Sequence, residues 1–265
     1  MPEKILLRFA VPSSVLAVLL LAVGGCTPPL LNKNDDKVFT SGYDDYQAGR
    51  YKDADRKFSE VVADNPQSAA LSEVYYFRGL TRLQESRRNE ARADFQAGAT
   101  HYGRELTQIY SMTCLANMEY EDGHDQQAVP LYRTVLEHPV PGLPTDKILY
   151  RLGVSLQRLG RWNEADETFA RLLKDHSDSP LAAEARIRTQ ADSFTLQAGA
   201  FTDRAKAATL AARLRQDGYP VVLAVVAAGG KTFHVVNVGH YHTAAEAQAA
   251  STRLAGKGYH CIMRP

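Results

Sequence analysis

Two stretches, QAGAFTDRAKAATLAARLRQDGYPV (residues 197–221) and NVGHYHTAAEAQAASTRLAGKGYHC (residues 237–261), decide how the end of this chain folds. They superimpose without a gap: Gly199 falls on Gly239, Phe201 on Tyr241, Leu214 on Leu254, and Gly218-Tyr219 on Gly258-Tyr259. In the first, Ala207, Leu210, Ala211 and Leu214 recur at helical spacing, and before it Phe194, Leu196 and Ala198 alternate with Thr195 and Gln197 as in a strand with one apolar face. Strands are predicted from Phe194, over 220–226, over 232–238 and over 259–263, with helices over 203–217 and 243–257. The order is βαββαβ, two similar halves of one α+β domain spanning 193–265.

Between the central strands stands Gly229-Gly230-Lys231-Thr232, which looks like the end of a phosphate-binding loop. That loop needs a glycine where this chain has Val225, and a helix after the lysine to point its N–H groups at phosphate. The residues after Lys231 are instead Thr232-Phe233-His234-Val235-Val236-Asn237-Val238, a strand pattern. The glycines are therefore read as a hairpin turn, because they reach positive φ without steric cost. Alternation then assigns the faces: Leu196, Val236 and Val238 pack against the helices, while Thr195, Gln197, Phe233, Val235 and Asn237 face outward.

This segment resembles the SPOR (sporulation-related repeat) domain of bacterial envelope proteins, through the paired Gly-x-Phe/Tyr and Gly-Tyr motifs. The resemblance implies a ribonucleoprotein-like fold, two helices behind a four-stranded sheet, whose open face binds peptidoglycan glycan strands stripped of their stem peptides. Gln197 stands at the family's first-strand glutamine and Phe233 at its aromatic position, while Val235 stands where members often carry arginine. The glycan-binding residues expected are Gln197, Phe233, Thr195, Asn237 and Lys231. An aromatic ring stacks on a sugar's C–H face, an amide bonds hydroxyl and acetamido groups, and a cation meets the exposed lactyl carboxylate. From Ser193 onward the net charge is +5, against −5 for residues 26–192, so the basic domain suits such an anion. Nucleic acid is not expected, because the aromatic-rich RNA motif is missing and the chain carries an export signal.

Upstream, alanines recur every 37 residues, at Ala54, Ala91, Ala128 and Ala165. Each is followed four residues later by Phe58, Phe95, Tyr132 or Phe169 and preceded twelve earlier by Gly42, Gly79, Ala116 or Gly153. Gly49, Ser86, Gly123 and Gly160 stand five before. Four helical hairpins are predicted, with small residues where helices approach closely and a turn residue ending each first helix. The pattern resembles the tetratricopeptide repeat (TPR), lengthened by three residues. Pro130 falls inside a predicted helix, where it is expected to bend or delay it, and 179–191 reads as a closing helix. The fold class expected is multidomain: an all-α TPR-like solenoid over 36–191, then the SPOR-like domain. By resemblance, the array holds a protein partner in a groove for which Phe39, Tyr43, Tyr46, Tyr76, Tyr120 and Tyr150 are candidates. Their spacing equally suits core packing.

At the start, Lys4 and Arg8 precede an apolar run from Phe9 to Val23 and then Gly24-Gly25-Cys26. This is a secretory signal over 1–25, and Val23-Gly24-Gly25-Cys26 resembles the lipobox of bacterial lipoproteins. The resemblance implies lipidation of Cys26, a short linker over 26–35 and, with Thr27 next, the outer membrane facing the periplasm. Cys114 and Cys261 are expected as separate thiols, although an oxidising periplasm leaves a disulfide open. His234, His240, His242, His260 and Cys261 are read as polar turn and strand residues and not as metal ligands, since no acidic partner is placed by spacing. With no catalytic motif present, neither enzyme activity nor a cofactor is expected. The function expected is a lipid-anchored periplasmic adaptor joining glycan to an envelope partner, in envelope organisation or cell division. The alternative is a scaffold for outer-membrane protein assembly or secretion that the SPOR domain only localises.

Overall fold

The computed structural model describes residues 31–265; the signal segment and Cys26 lie outside the described residues. Helices α1 (Lys33–Gln47), α2 (Tyr51–Asp64), α3 (Leu71–Gln84), α4 (Arg88–Thr100), α5 (Glu105–Glu121), α6 (Asp125–Glu137), α7 (Thr145–Arg158) and α8 (Trp162–Asp175) form four successive pairs, followed by α9 (Ala182–Arg188). Then come β1 (Phe194–Phe201), α10 (Arg204–Gln216), β2 (Val221–Ala228), β3 (Lys231–Tyr241), α11 (Ala244–Gly256) and β4 (Ile262–Arg264). Among the described residues no helix is long and apolar enough to cross a membrane.

The 37-residue columns have a steric cause. Ala54, Ala91, Ala128 and Ala165 are fully buried, as are Phe58, Phe95, Tyr132 and Phe169. A Cβ on Gly42, Gly79 or Gly153 would stand 3.0, 2.7 or 2.5 Å from the ring of Phe58, Phe95 or Phe169, so the ring of each second helix lies against the bare backbone of the first. The turn column adopts left-handed backbone throughout, with φ of 75° at Gly49, 63° at Ser86, 76° at Gly123 and 76° at Gly160. After each, the N–H of Arg50, Arg87, His124 or Arg161 returns to the carbonyl of Asp45, Arg82, Glu119 or Leu156 at 2.8 to 2.9 Å. This closes the first helix by satisfying a carbonyl that has no partner inside the helix.

Two expectations are corrected. Pro130 lies inside α6 as expected but does not delay it: α6 begins at Asp125, two residues after Gly123, as α2, α4 and α8 begin two after Gly49, Ser86 and Gly160. The closing helix is shorter than 179–191: α9 ends where Thr189 turns extended, at φ −64° and ψ 139°. It still covers the array's last face, because Arg188 reaches the Tyr150 hydroxyl and the Gln157 side chain, both at 3.1 Å.

The chain divides into two compact units. The described part of one comprises 31–118 and 131–144; the other comprises 119–130 and 145–265. The first is built on an aromatic cluster around Phe77, whose ring lies 5.0 Å from Tyr43, 5.2 Å from Tyr76 and 6.1 Å from both Phe39 and Tyr46. The second holds a four-stranded antiparallel sheet in the order β2-β3-β1-β4. Leu196, Val236 and Val238 meet Ala207, Ala211, Leu214, Ala247, Ala250 and Leu254 on its covered side, and Trp162 of α8 joins this core. The unit therefore begins before residue 193, where alternation starts: α7, α8 and α9 belong with the sheet.

Candidate functional site

Capping fixes both helices behind the sheet. Asp203 accepts the Ala205 N–H at 2.8 Å, and Thr243 and Glu246 form a reciprocal capping box at the start of α11. With the helices on one side, the strands leave the opposite side uncovered, and the register says which residues share it.

Gln197 stands opposite Asn237 on β3 and Ile262 on β4, and Asn237 stands opposite Val222 on β2. Opposed residues of antiparallel strands point to the same side. Val222, Asn237, Gln197 and Ile262 thus form one row across all four strands. Thr195 and Arg264 are paired beside it, and the Arg264 guanidinium donates to the Gln197 side-chain oxygen at 3.4 Å. Toward the hairpin the next rows are Ala224, Val235 and Ala200, then Val226 with Phe233, then Ala228 with Lys231. A bulge at Ala198, between Gln197 and Gly199, shifts the alternation of β1 and turns Gly199 to the helix side, where its Cβ would meet Leu210 at 3.1 Å.

The structure therefore gathers Gln197, Asn237 and Thr195, and separates Phe233 and Lys231 from them. At about 3.3 Å per residue, Phe233 lies roughly 13 Å from Asn237 along β3, and Lys231 about 20 Å. Val235 is a correction: it shares the outward register, but at 8% exposure it is buried. Phe233 and Asn237 stand on either side of it along the same face of β3. Arg264, Ile262 and Val222 were not among the sequence candidates. Period-two alternation carried one residue further along the last strand reaches Arg264, and carried across the Gly-Gly turn it reaches Val222.

The face has a polar centre of two amides with Arg264 beside them. Around it stand apolar side chains, Ile262 at 55% exposure, Val222 at 51% and Val226 at 46%. Amides that both donate and accept suit hydroxyl and acetamido groups, a guanidinium suits a carboxylate, and apolar flanks suit the C–H faces of sugar rings. No pocket is needed for an extended strand of sugar.

The histidines do not converge. His240 lies 3.3 Å from the Ser193 hydroxyl, while the backbone carbonyl of His242 accepts the Trp162 indole N–H at 2.9 Å. Cys114 and Cys261 are not joined by a disulfide. Of the aromatic candidates for a partner groove, Tyr76 is corrected: it is 1% exposed and packs within the first unit's core, where burial holds its hydroxyl well above the usual tyrosine range. Phe39, Tyr43 and Tyr46 are half-buried against the same core, and burial pushes the Tyr46 hydroxyl up to about 12. In the second unit Tyr150 is covered by Arg188, and Tyr120 lies under the guanidinium groups of Arg158 and Arg151 at 4.6 and 5.2 Å. Of the six, Tyr120 and the Phe39, Tyr43 and Tyr46 group keep accessible surface.

Residues 190–265 match the family described as SPOR domain, and residues 148–179 match the tetratricopeptide repeat. A tetratricopeptide repeat protein from Parabacteroides merdae ATCC 43184 is similar in structure, at 16% identity and a TM-score of 0.51, over 59% of this chain and 59% of that one. MamA of strain AMB-1 is similar at 18% identity and a TM-score of 0.47, over 70% of this chain and 83% of that one. No curated protein sequence matches the chain. The chain thus carries helical repeats of the tetratricopeptide kind followed by a domain that matches the SPOR family. Domains of both kinds are binding modules.

Proposed function

We propose that this protein is an adaptor of the bacterial envelope, which holds glycan strands stripped of their stem peptides on the open sheet face and a protein partner on its helical repeats. The observation that carries the reading is the Gln197 and Asn237 amide pair at the centre of an uncovered sheet, with Arg264 bonded to Gln197. The sequence motif at Cys26 supports a lipid anchor in the outer membrane, facing the periplasm; an adaptor there would serve cell division or envelope organisation. Sedimentation of the protein with amidase-treated sacculi tests the reading. A Gln197→Ala, Asn237→Ala double variant should be left in the supernatant; a well-folded double variant that still sediments like wild type defeats it. For the anchor, Cys26→Ser should release the protein from the membrane pellet, and a variant that stays there, processed as before, removes that part.

A second reading, a scaffold for outer-membrane protein assembly or secretion, draws on the half-exposed aromatics Phe39, Tyr43 and Tyr46 of α1. Truncation at residue 193 is a poor test, because it strips Trp162 of its core. The sheet-face double variant separates the two: a partner and phenotype that survive it favour the scaffold.

A further inference from the structure

The two edges of the sheet are built differently. Strand β4 has three residues and ends in Arg264-Pro265, a charged and proline-blocked edge. Strand β2 reads VVLAVVAA over eight residues, with no charge and no proline, and it forms the other edge. Free edges are ordinarily blunted by charge, proline, a bulge or shortness, since an unguarded one recruits another strand. Along β2 the one such device is the Arg215 guanidinium on the Val221 carbonyl, at the strand's first residue; from Val222 to Ala228 the edge carries none.

Its outward backbone groups are set by the pairing. The Pro220 carbonyl accepts the Gly239 N–H at 3.0 Å, which makes Pro220 and Gly239 a hydrogen-bonded pair. In antiparallel strands such pairs alternate, so Val222, Ala224, Val226 and Ala228 turn their N–H and C=O groups to β3. Val221, Leu223, Val225 and Ala227 turn theirs outward. The Val221 carbonyl confirms the sense, since it accepts from Arg215 at 3.0 Å on that outer side. Alongside stand exposed apolar side chains: Val225 at 67%, Val222 at 51%, Val226 at 46% and Leu223 at 43%.

We infer that β2 pairs antiparallel with β2 of a second copy of this chain, about a two-fold axis at Ala224. Opposed residues must share a face and parity, and this register satisfies both. Val222 meets Val226 of the second copy, Leu223 meets its Val225, Val221 meets its Ala227, and the small Ala224 side chains meet at the axis. Every outward-turned residue of one strand then faces an outward-turned residue of the other. An uncharged strand offers nothing to an ionic partner, whereas it is complementary to itself. A single edge of this length buries less than the roughly 1,600 Å² of a standard stable interface, so the dimer dissociates on dilution. The axis runs perpendicular to the sheet and keeps both open faces on one side. That consequence rests on the glycan reading; the pairing and its tests do not.

Two measurements on the full chain in detergent decide the matter. Ala224→Cys should give a disulfide-linked dimer on mild oxidation, several-fold above the wild-type background from the native cysteines, and adding Val225→Lys should abolish it. Light scattering should show the mass of the wild type rising from monomer to dimer with concentration, and Val225→Lys remaining a monomer with unchanged melting. Crosslinking no greater than wild type together with a monomer at all concentrations overturns the proposal. Hydrogen exchange at the Leu223 and Val225 amides then says what replaces it: slow exchange gives the edge to another segment of the chain, and fast exchange leaves it open.

Discussion

The indole N–H of Trp162 donates to the backbone carbonyl of His242 at 2.9 Å, and its ring lies 4.9 Å from that of Phe194. The first residue of the fourth repeat's second helix is thereby part of the core behind the sheet. Gly160, two residues earlier, leaves room for this approach: a Cβ there would stand 2.7 Å from the His242 ring.

Trp162→Ala should therefore destabilise the second unit by about 3 to 5 kcal/mol, as large-to-small changes in cores do. Trp162→Phe should keep much of the packing and lose the hydrogen bond, at about 1 kcal/mol. Trp162 is the only tryptophan in the sequence, so its fluorescence on denaturation reports this contact directly. A transition in Trp162→Ala, followed by circular dichroism, that matches wild type would show that the repeat and the sheet fold independently.

The two sides of β1 should respond in opposite ways. Leu196 is fully buried, and Leu196→Ala should cost about 2 to 5 kcal/mol. Gln197→Ala and Arg264→Ala lie on the uncovered side and should melt like wild type while weakening sedimentation with denuded glycan. Phe233→Ala should weaken it too if the strand of sugar runs along β3 beyond the amide row. Equal binding by Phe233→Ala and wild type would confine the site to the row at Gln197. Raised salt should weaken binding where Arg264 and Lys231 meet carboxylates, since exposed charges are screened within about 8 Å at physiological ionic strength.

Val235 offers a gain of function. It stands in register between Ala224 and Ala200, two small residues, and although the valine itself is buried, the longer stem of an arginine would carry its guanidinium past them to the open side. Val235→Arg should place a second cation beside Asn237 and tighten glycan binding, with a steeper salt dependence. A variant that folds and binds no better would place the carboxylate elsewhere on the face.

In the first unit, Asp45 accepts from Lys57 Nζ at 2.5 Å and Arg50 Nε at 2.7 Å, and these partners, Lys57 foremost, hold its carboxyl below the usual value of 3.8. A depressed folded value means stability that is present above the unfolded value and lost as pH falls through the folded one. Asp45→Asn should lower the melting temperature at pH 7, and the difference from wild type should shrink on acidification below about pH 4. A difference independent of pH would mean that the carboxylate's charge contributes nothing there.

Local rules made much of this protein legible in its sequence. A period of 37 with its small, turn, alanine and aromatic columns determined four helical hairpins, because a ring against bare backbone and a left-handed turn each admit few residue types. Period-two alternation, helical spacing and the Gly229-Gly230 turn determined βαββαβ, and alternation placed Gln197 and Asn237 on the uncovered side, since all of these depend only on neighbours along the chain. Whatever depended on elements far apart in sequence was decided by the tertiary structure. Register across β1 and β4 brought Arg264 to Gln197, the bulge at Ala198 turned Gly199 inward, and packing buried Val235 and Tyr76 where spacing alone left them open. Trp162 reads locally as the start of one more repeat helix. Only the folded chain, by carrying His242 and Phe194 to its ring, made it part of the sheet's core, because burial is a property of what converges on a residue and not of its place in a pattern.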